Sequence, residues 1–303
     1  MNNGDWIAVD WGTTNLRLWL LNAKGVVLAR RQSEDGMASL SSDLFEPALL
    51  ALIEDWLPTN GHEIPVLTCG MVGAKQGWQE VPYRSVPCAA IPVLNAVSTV
   101  DERISVYICS GLSQLKPADV MRGEETQIAG LVFNQFDYQG SVCLPGTHSK
   151  WARVDKRAVT DFQSFMTGEL FALLAKQSVL RFTVDTAQWQ EEEFTAGVEQ
   201  ATADPASISA HLFSLRAQSL VNSTEWVGAA ARLSGYLIGL ELAASRQYWT
   251  GQRVSIIGAS TLAKHYQTAL NRLGQSVELL SSEEMTLAGL RAAYQTLGEN
   301  IDV

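Results

Sequence analysis

One arrangement of strands and helix occurs twice along this chain, and each time a turn rich in glycine and hydroxyl groups joins the first two strands. In the first copy, Trp6 to Asp10 is an apolar strand, and Leu16, Leu18 and Leu20 alternate with Arg17, Trp19 and Leu21 in a second. Asn22 to Gly25 is a tight turn, and Val26 to Arg30 returns as a third strand. A helix follows, with Asp43 as its expected N-cap and Glu46 completing a capping box; Phe45, Leu49, Leu52, Ile53 and Trp56 share one face. Short strands at Val66 to Cys69 and Ile104 to Cys109 and a helix from Glu124 to Phe133 complete the copy. The order restarts with strands at Ser141 to Leu144, Lys150 to Val154 and Val159 to Phe162, then a helix from Thr167 to Lys176. Residues 180–222 read as irregular. A long Ala-rich helix from Thr224 to Tyr248, a strand from Arg253 to Ile257, a helix from Ser260 to Leu273, a strand from Val277 to Leu280 and a helix from Met285 to Leu297 close the chain. This duplicated β-β-β-α-β-α pattern predicts an α/β protein of two lobes with a cleft between them, residues 1–137 and 138–303, with the last helix packing back on the first lobe.

Hydrophobic residues make up 47% of the 303 positions, enough for a core in each lobe. The longest apolar runs are strand-sized, far from the roughly 20 residues that span a bilayer, and no signal peptide is expected at the amino terminus. Cys69, Cys109 and Cys143 lie within apolar strand-like runs, and no two of the four cysteines, with Cys88 the other, form a CxxC pair. Free thiols and a cytoplasmic setting are expected. The net charge of −10, with Arg30-Arg31 as the densest basic cluster, argues against nucleic-acid binding. An anionic ligand must then be held by local donors: backbone N–H groups, helix N-termini or single cations.

Four segments carry that chemistry. Asp10-Trp11-Gly12-Thr13-Thr14-Asn15, with Arg17 just beyond, presents a carboxylate, a glycine, two hydroxyls and free N–H groups on the first turn. Those are the parts for a polyphosphate and its Mg²⁺, which keeps most of its waters and needs only one carboxylate, here Asp10. Pro145-Gly146-Thr147-His148-Ser149-Lys150 occupies the equivalent turn of the second copy. Gly258-Ala259-Ser260, between a strand and a helix, suits an adenosine or α-phosphate site because small residues admit a ligand close to the backbone. Finally, Arg122-Gly123-Glu124-Glu125 opens the last helix of the first copy. A base accepting a hydroxyl proton contributes roughly 10² to 10⁴ in rate, and Glu124 and Glu125 are both candidates, although acidic residues also favour a helix's first turn.

DWGTTNLR, PGTHSK and IIGAS resemble the two phosphate motifs and the adenosine motif of the sugar kinase, Hsp70 and actin superfamily. The resemblance implies a two-lobed actin-like (ribonuclease-H-like) ATPase fold that uses ATP and Mg²⁺. In glycerol-kinase-like members a Gly-Asp-Gln-Gln segment carries the catalytic aspartate; here Gly123-Glu124 stands 23 residues before Thr147, a spacing that favours Glu124 over Glu125. A closer resemblance, over essentially the whole chain, is to the 2-dehydro-3-deoxygalactonokinase family. It rests on AVDWGTTNLRLWL, CGMVG with Gly77-Trp78 and Val81-Pro82-Tyr83, MRGEETQ, LPGTHSKW and FMTGEL. It implies ATP-dependent phosphorylation of the terminal hydroxyl of a sugar-derived keto acid.

Such a substrate needs hydroxyl partners and a cation or N–H nest. Gly70, Met71 and Val72 end a strand where the ligand can lie, and Trp78 and Tyr83 offer aromatic walls with polar tips. Arg84, Arg122 and Lys150 can meet a carboxylate or the phosphoryl group, and Thr167 and Glu169 open a helix near the second turn. A non-kinase ATPase and a sugar-responsive regulator are alternatives on the same fold, and other sugars or sugar acids are alternative substrates. The Gly235 and Gly239 pair reads as a helix-packing contact, His62, His211 and His265 as uninvolved, and the nine tryptophans offer surface for a homodimer interface.

Overall fold

The computed structural model describes residues 4–59, 61–221 and 226–299. In chain order the strands are β1 (Trp6–Trp11), β2 (Leu16–Leu21), β3 (Val27–Ser33), β4 (Ile64–Gly70), β5 (Arg84–Ser85), β6 (Cys88–Ala89), β7 (Leu94–Val97), β8 (Ile104–Cys109), β9 (Leu112–Leu115), β10 (Ala118–Met121), β11 (Gly140–Leu144), β12 (Ser149–Asp155), β13 (Ala158–Phe165), β14 (Val254–Gly258) and β15 (Glu278–Ser281). The helices are α1 (Phe45–Ile53), α2 (Glu124–Asn134), α3 (Thr167–Gln177), α4 (Glu191–Ala203), α5 (Ile208–Val221), α6 (Ala229–Ala244), α7 (Arg246–Trp249), α8 (Ser260–Arg272) and α9 (Ser282–Glu299).

The chain divides into two compact units. The first comprises residues 1–138, 154–161 and 282–303, and the second residues 139–153 and 162–281. Against the sequence-drawn boundary at 137/138, this division places residues 138, 154–161 and 282–303 in the first unit, the last of these holding the helix expected to pack back on the first lobe.

The first unit is built on a sheet of order β3-β2-β1-β4-β8-β7. The β1, β2 and β3 strands are antiparallel neighbours, whereas β1, β4 and β8 run parallel. That is the strand order expected of a lobe of the actin-like fold. β1 is buried on both faces, which is why it reads as a near-continuous apolar run. Ile7, Val9 and Trp11 face a core with Phe45, Leu49 and Ile53 of α1. Trp6 and Ala8 face the opposite side, with Leu287, Leu290 and Ala293 of α9. Trp6 stacks on Tyr294 with ring centroids 4.5 Å apart, a contact worth about 1 kcal/mol beyond the area it buries. α9 also packs along α2.

Several local expectations fail for identifiable reasons. The Asp43/Glu46 capping box does not form: Ser42–Leu44 is a 3₁₀ turn, and Glu46 instead accepts from the N–H groups of Val100 and Asp101. Strands β5, β6, β7, β9 and β10, two to four residues each, are too short to show a period.

The second unit centres on strands in the order β15-β14-β11-β12-β13, with β11, β14 and β15 parallel. The region read as irregular contains α4 and α5. The predicted long helix is α6, ending at Ala244 with Ser245 as cap before the single turn of α7; its proposed start at Thr224 lies outside the described residues. α4 crosses α6 with Gly235 against Gly197 and Gly239 against Val198 and Ala201, the close packing expected of that glycine pair. All four cysteines are free, and Cys69, Cys109 and Cys143 are buried. No helix among the described residues is long and apolar enough to cross a membrane.

Candidate active site

In the first unit the β1–β2 turn is closed by the Gly12 N–H donating to the Asn15 carbonyl at 2.9 Å. Thr13, Thr14 and Asn15 are exposed, while Trp11 and Leu16 on either side are anchored in the core. The Asn15 amide donates to Thr14 Oγ1 at 2.8 Å. Asp10 pairs in register with Arg17 across the hairpin, and their charged groups approach to 3.7 Å. The Asp10 carboxyl is 21% exposed. Burial raises its pKa, the Arg17 charge opposes that, and Glu283 adds to the rise.

Two glycines bring the acidic residues of α2 to this place. Gly70, at the end of β4, has φ +91, and a Cβ there would sit 2.6 Å from the Trp11 carbonyl oxygen. Gly123, immediately before α2, has φ +105, and a Cβ there would touch the Gly70 backbone at 3.4 Å. Both positions therefore demand a residue without a side chain. The first turn of α2 is thereby held next to the C-terminal ends of β1 and β4, where ligands of open α/β sheets are bound.

Each of the two glutamates hooks back onto the backbone. Glu124 Oε2 accepts from the Arg122 N–H at 3.0 Å and Glu125 Oε2 from the Gly123 N–H at 2.6 Å. Their environments differ. Glu124 is partly exposed. Glu125 is 6% exposed, takes the Thr126 hydroxyl on its other oxygen at 3.0 Å, and is pushed up to about 8, chiefly by burial and secondarily by the Glu124 charge.

The remaining candidates of this unit are sorted by their contacts. Val72 is fully buried in the core, and its carbonyl accepts from Trp78 N–H, so its side chain cannot line a ligand site. Trp78 is half-buried against Trp11 and Phe45. Met71 is partly exposed. The Arg84 guanidinium donates to the Ile91 and Ala89 carbonyls at 2.7 and 3.3 Å, tying its own loop. Arg122 is 9% exposed beneath Tyr83, whose ring lies 4.3 Å from the guanidinium carbon.

In the second unit the β11–β12 turn leaves Thr147 and His148 exposed. α3 begins against it: a Cβ on Gly168 would lie 2.4 Å from the Gly146 carbonyl oxygen, and the Glu169 N–H donates to the Thr147 carbonyl at 2.9 Å. His148 Nε2 and Glu169 Oε2 are 2.5 Å apart. Lys150 is buried and donates to the His148 carbonyl at 3.0 Å, which fixes the turn from behind. Gly258 and Ala259 lead into α8 beside Pro145; the side chain of Ser260 lies outside the described residues. Thr167 and Glu169 are thus grouped with the second turn rather than with the first-unit residues expected to hold substrate.

Beneath the turn lies a buried polar cluster that sequence reasoning missed. Glu241 of α6, 2% exposed, accepts from Trp151 Nε1 at 2.8 Å, from the Tyr266 hydroxyl at 2.7 Å and from the Thr167 hydroxyl. Burial raises its pKa and these hydrogen bonds oppose the rise. Tyr266 also meets Ser149 Oγ at 2.8 Å. Its sequence signal was a single acid in an otherwise apolar stretch of α6.

Next to this cluster opens a cavity of about 700 Å³, lined by Gly146, Thr147, Gly168, Leu237, Trp189 and His265 among others. The rings of Trp189 and His265 are stacked, 4.0 Å apart and 5° from parallel. Helix N-termini at α3 and α8, a glycine turn and flat apolar walls fit a nucleotide: phosphates on the N–H groups, the base among the rings. His265, read as uninvolved, is in this wall, and burial lowers its pKa. Among the described residues no cluster of three or more acidic, His or Cys side chains could hold a metal. Asp10, partly open and beside the first turn, suits a Mg²⁺ held mainly by water and phosphate oxygens.

Comparison with known proteins identifies the family. The family model described as 2-keto-3-deoxy-galactonokinase matches residues 10–293. A Rhizobium meliloti (strain 1021) protein named "Probable 2-dehydro-3-deoxygalactonokinase" is 38% identical over 97% of this chain and 98% of its own. The Escherichia coli (strain K12) 2-dehydro-3-deoxygalactonokinase is 33% identical over 95% of this chain and 96% of its own. A crystal structure of a Sinorhizobium meliloti protein assigned the same enzyme name superimposes with a TM-score of 0.88 at 36% identity, covering 96% of this chain and 99% of that one.

Proposed function

The chain belongs to the 2-keto-3-deoxy-galactonokinase family, and from that premise we propose that it transfers the γ-phosphoryl group of ATP to the terminal (6-) hydroxyl of 2-dehydro-3-deoxygalactonate, a step of galactonate breakdown in the cytoplasm. The observation that carries this reading is the near full-length family match; the geometry supplies the roles.

The cavity of the second unit takes the adenosine, with the N–H groups of Gly146 to His148 and the starts of α3 and α8 on the phosphates. Gly12 to Asn15 of the first unit provide the other phosphate turn. Asp10 would hold a Mg²⁺, through water or directly, and such an ion would supply neutralisation of charge on the phosphates. Glu124 is the base. It is the partly exposed member of the pair, whereas both Glu125 oxygens are engaged inside the fold. As the oxygen–phosphorus bond to substrate forms, the bond from γ-phosphorus to the bridging oxygen breaks, ADP leaves, and the hydroxyl proton passes to Glu124.

The test is a coupled ADP-release assay with Mg-ATP and 2-dehydro-3-deoxygalactonate, its gluconate epimer, glycerol and common free sugars. Preference for the galactonate-derived acid is expected. Turnover of another compound alone would overturn the substrate, and no substrate-dependent ADP release would overturn the kinase reading.

A further inference from the structure

α6 carries one acid, Glu241, and the fold buries it. A carboxylate costs far more to bury than an apolar side chain, and an apolar residue with apolar neighbours of the same volume would serve stability as well. What the carboxylate provides is acceptor capacity. Its two oxygens offer about four lone-pair sites, twice what an amide or hydroxyl oxygen offers. Three neutral donors use them: the Trp151 indole N–H on Oε1, and the Tyr266 and Thr167 hydroxyls on Oε2. Tyr266 carries the link one step further, to the Ser149 hydroxyl at 2.8 Å.

The donors come from three elements, and each element borders the cavity of the second unit or its glycine turn. Ser149 and Trp151 are the first and third residues of β12, directly after Gly146 to His148. Thr167 is the first residue of α3, next to Gly168 and Glu169, which meet the Gly146 and Thr147 carbonyls. Tyr266 follows His265 on α8. Thr167 and Tyr266 themselves line the cavity, and so do Leu237 and Ile238, one turn before Glu241 on α6. From behind the cavity, Glu241 therefore ties together the strand that leaves the turn, the helix that closes on the turn and the helix that bears the ring wall. All of these residues belong to one compact unit.

We propose that Glu241 is a positioning residue for the nucleotide: by fixing β12, α3 and α8 to one point, it sets the shape of the cavity and of the Gly146 to His148 turn before the phosphates arrive. Glu241 does not touch the nucleotide; the walls it holds do. This rests on the nucleotide reading of the cavity given above and adds the group that keeps its walls in register. Walls that are already ordered bind more tightly, because binding does not then have to order them.

The test is titration calorimetry with Mg-ADP on the unaltered chain, Glu241→Gln, Glu241→Asp and Thr167→Val, with the KM for ATP and for 2-dehydro-3-deoxygalactonate measured alongside. Glutamine keeps the reach: its carbonyl accepts from Trp151, and its N–H groups donate to the two hydroxyls, which turn to accept. Aspartate keeps the charge but is one methylene too short to meet all three donors. Thr167→Val deletes the α3 link at nearly constant shape and stands in for any Glu241 variant that fails to fold. ADP affinity is expected within about twofold of normal for Glu241→Gln, about fivefold weaker for Thr167→Val and at least tenfold weaker for Glu241→Asp, the scale on which lost and unmet buried hydrogen bonds act. The KM for ATP follows the same order while the KM for the sugar acid stays put. A purely structural role would instead lower the active fraction, and so kcat, with both KM values unchanged, and that result would overturn the proposal. So would an aspartate variant that binds ADP better than the glutamine variant, which would make charge rather than reach the property that counts. An unaltered chain that does not bind Mg-ADP would remove the nucleotide reading of the cavity itself, and this proposal with it.

Discussion

Replacing Glu125 by Gln tests the structure's account of the acidic pair. The Glu125 carboxyl ionises near 4.5 when unperturbed and is pushed up to about 8 in the fold, with burial as the main cause and the Glu124 charge as the second. Cys69 and Cys109 nearby are pushed up by their own burial and stay neutral through this range; Asp10 is raised as well. The sign follows from which state holds the proton. Below about 4.5 both folded and unfolded chains carry it and stability is unaffected. From about 4.5 to about 8 the unfolded chain releases the proton while the folded one keeps it, so stability falls as pH rises, then levels off. Every tenfold difference in proton affinity between the two states is worth about 1.4 kcal/mol, so the loss by pH 9 is on the order of a few kcal/mol. Glutamine keeps the neutral shape and does not titrate. Glu125→Gln is therefore expected to match the unaltered protein at pH 5 and to melt roughly 5–10 °C higher at pH 9, taking about 2–4 °C per kcal/mol. Calorimetric scans at the two pH values measure this. A variant equal to or less stable than the unaltered protein at pH 9 would refute the reasoning. Turnover supplies a second reading: a fall within about tenfold fits a buried supporting group, whereas a loss beyond about 10² would make Glu125 the base.

Glu124→Gln is expected to lower kcat by at least about 10² with little change in the KM for ATP, and near-normal turnover would remove its role. Glu241→Leu leaves the Trp151 indole N–H buried without an acceptor, and the Thr167 and Tyr266 hydroxyls lose theirs; a destabilisation of about 2–5 kcal/mol and a raised ATP KM are expected, and an unchanged melting temperature would contradict the network. Gly168→Ala puts a methyl 2.4 Å from the Gly146 carbonyl oxygen, which must push α3 off the second phosphate turn. ATP affinity, read by titration calorimetry, is expected to fall at least tenfold, and normal affinity would show that the turn does not depend on that contact.

The division of the chain into repeated strands was legible because β1, β2, β11 and β14 are strongly apolar, and their glycine and hydroxyl turns stand out between them. The glutamate pair was legible as a position but not as two different groups. Glu124 and Glu125 are adjacent and chemically alike; the motif spacing favoured Glu124, and the burial of Glu125 against Thr126, Cys69 and Cys109 gives the physical difference between them. Val72 and Thr167 adjoin motif residues in the sequence, and only packing shows that one side chain is in the core and the other is hydrogen-bonded to Glu241. The helices α4 and α5 were missed because their apolar faces are interrupted by acidic and hydroxyl residues, and partners on α6 stabilise them more than their own periodicity does.

By itself the amino-acid order determined the fold class, the two glycine- and hydroxyl-rich turns and the family, since these depend on local patterns: alternation along strands, glycine where φ must be positive, hydroxyls in tight turns. The tertiary structure alone decided which groups carry charge, which are spent internally and which are left unmet. Glu241 lies 74 residues from Thr167 and 90 from Trp151, and the buried guanidinium of Arg122 meets a carbonyl 41 residues away at Val81. Such partners are set by packing at long sequence separation, and packing fixes the dielectric surroundings and hydrogen bonds on which a group's chemistry depends.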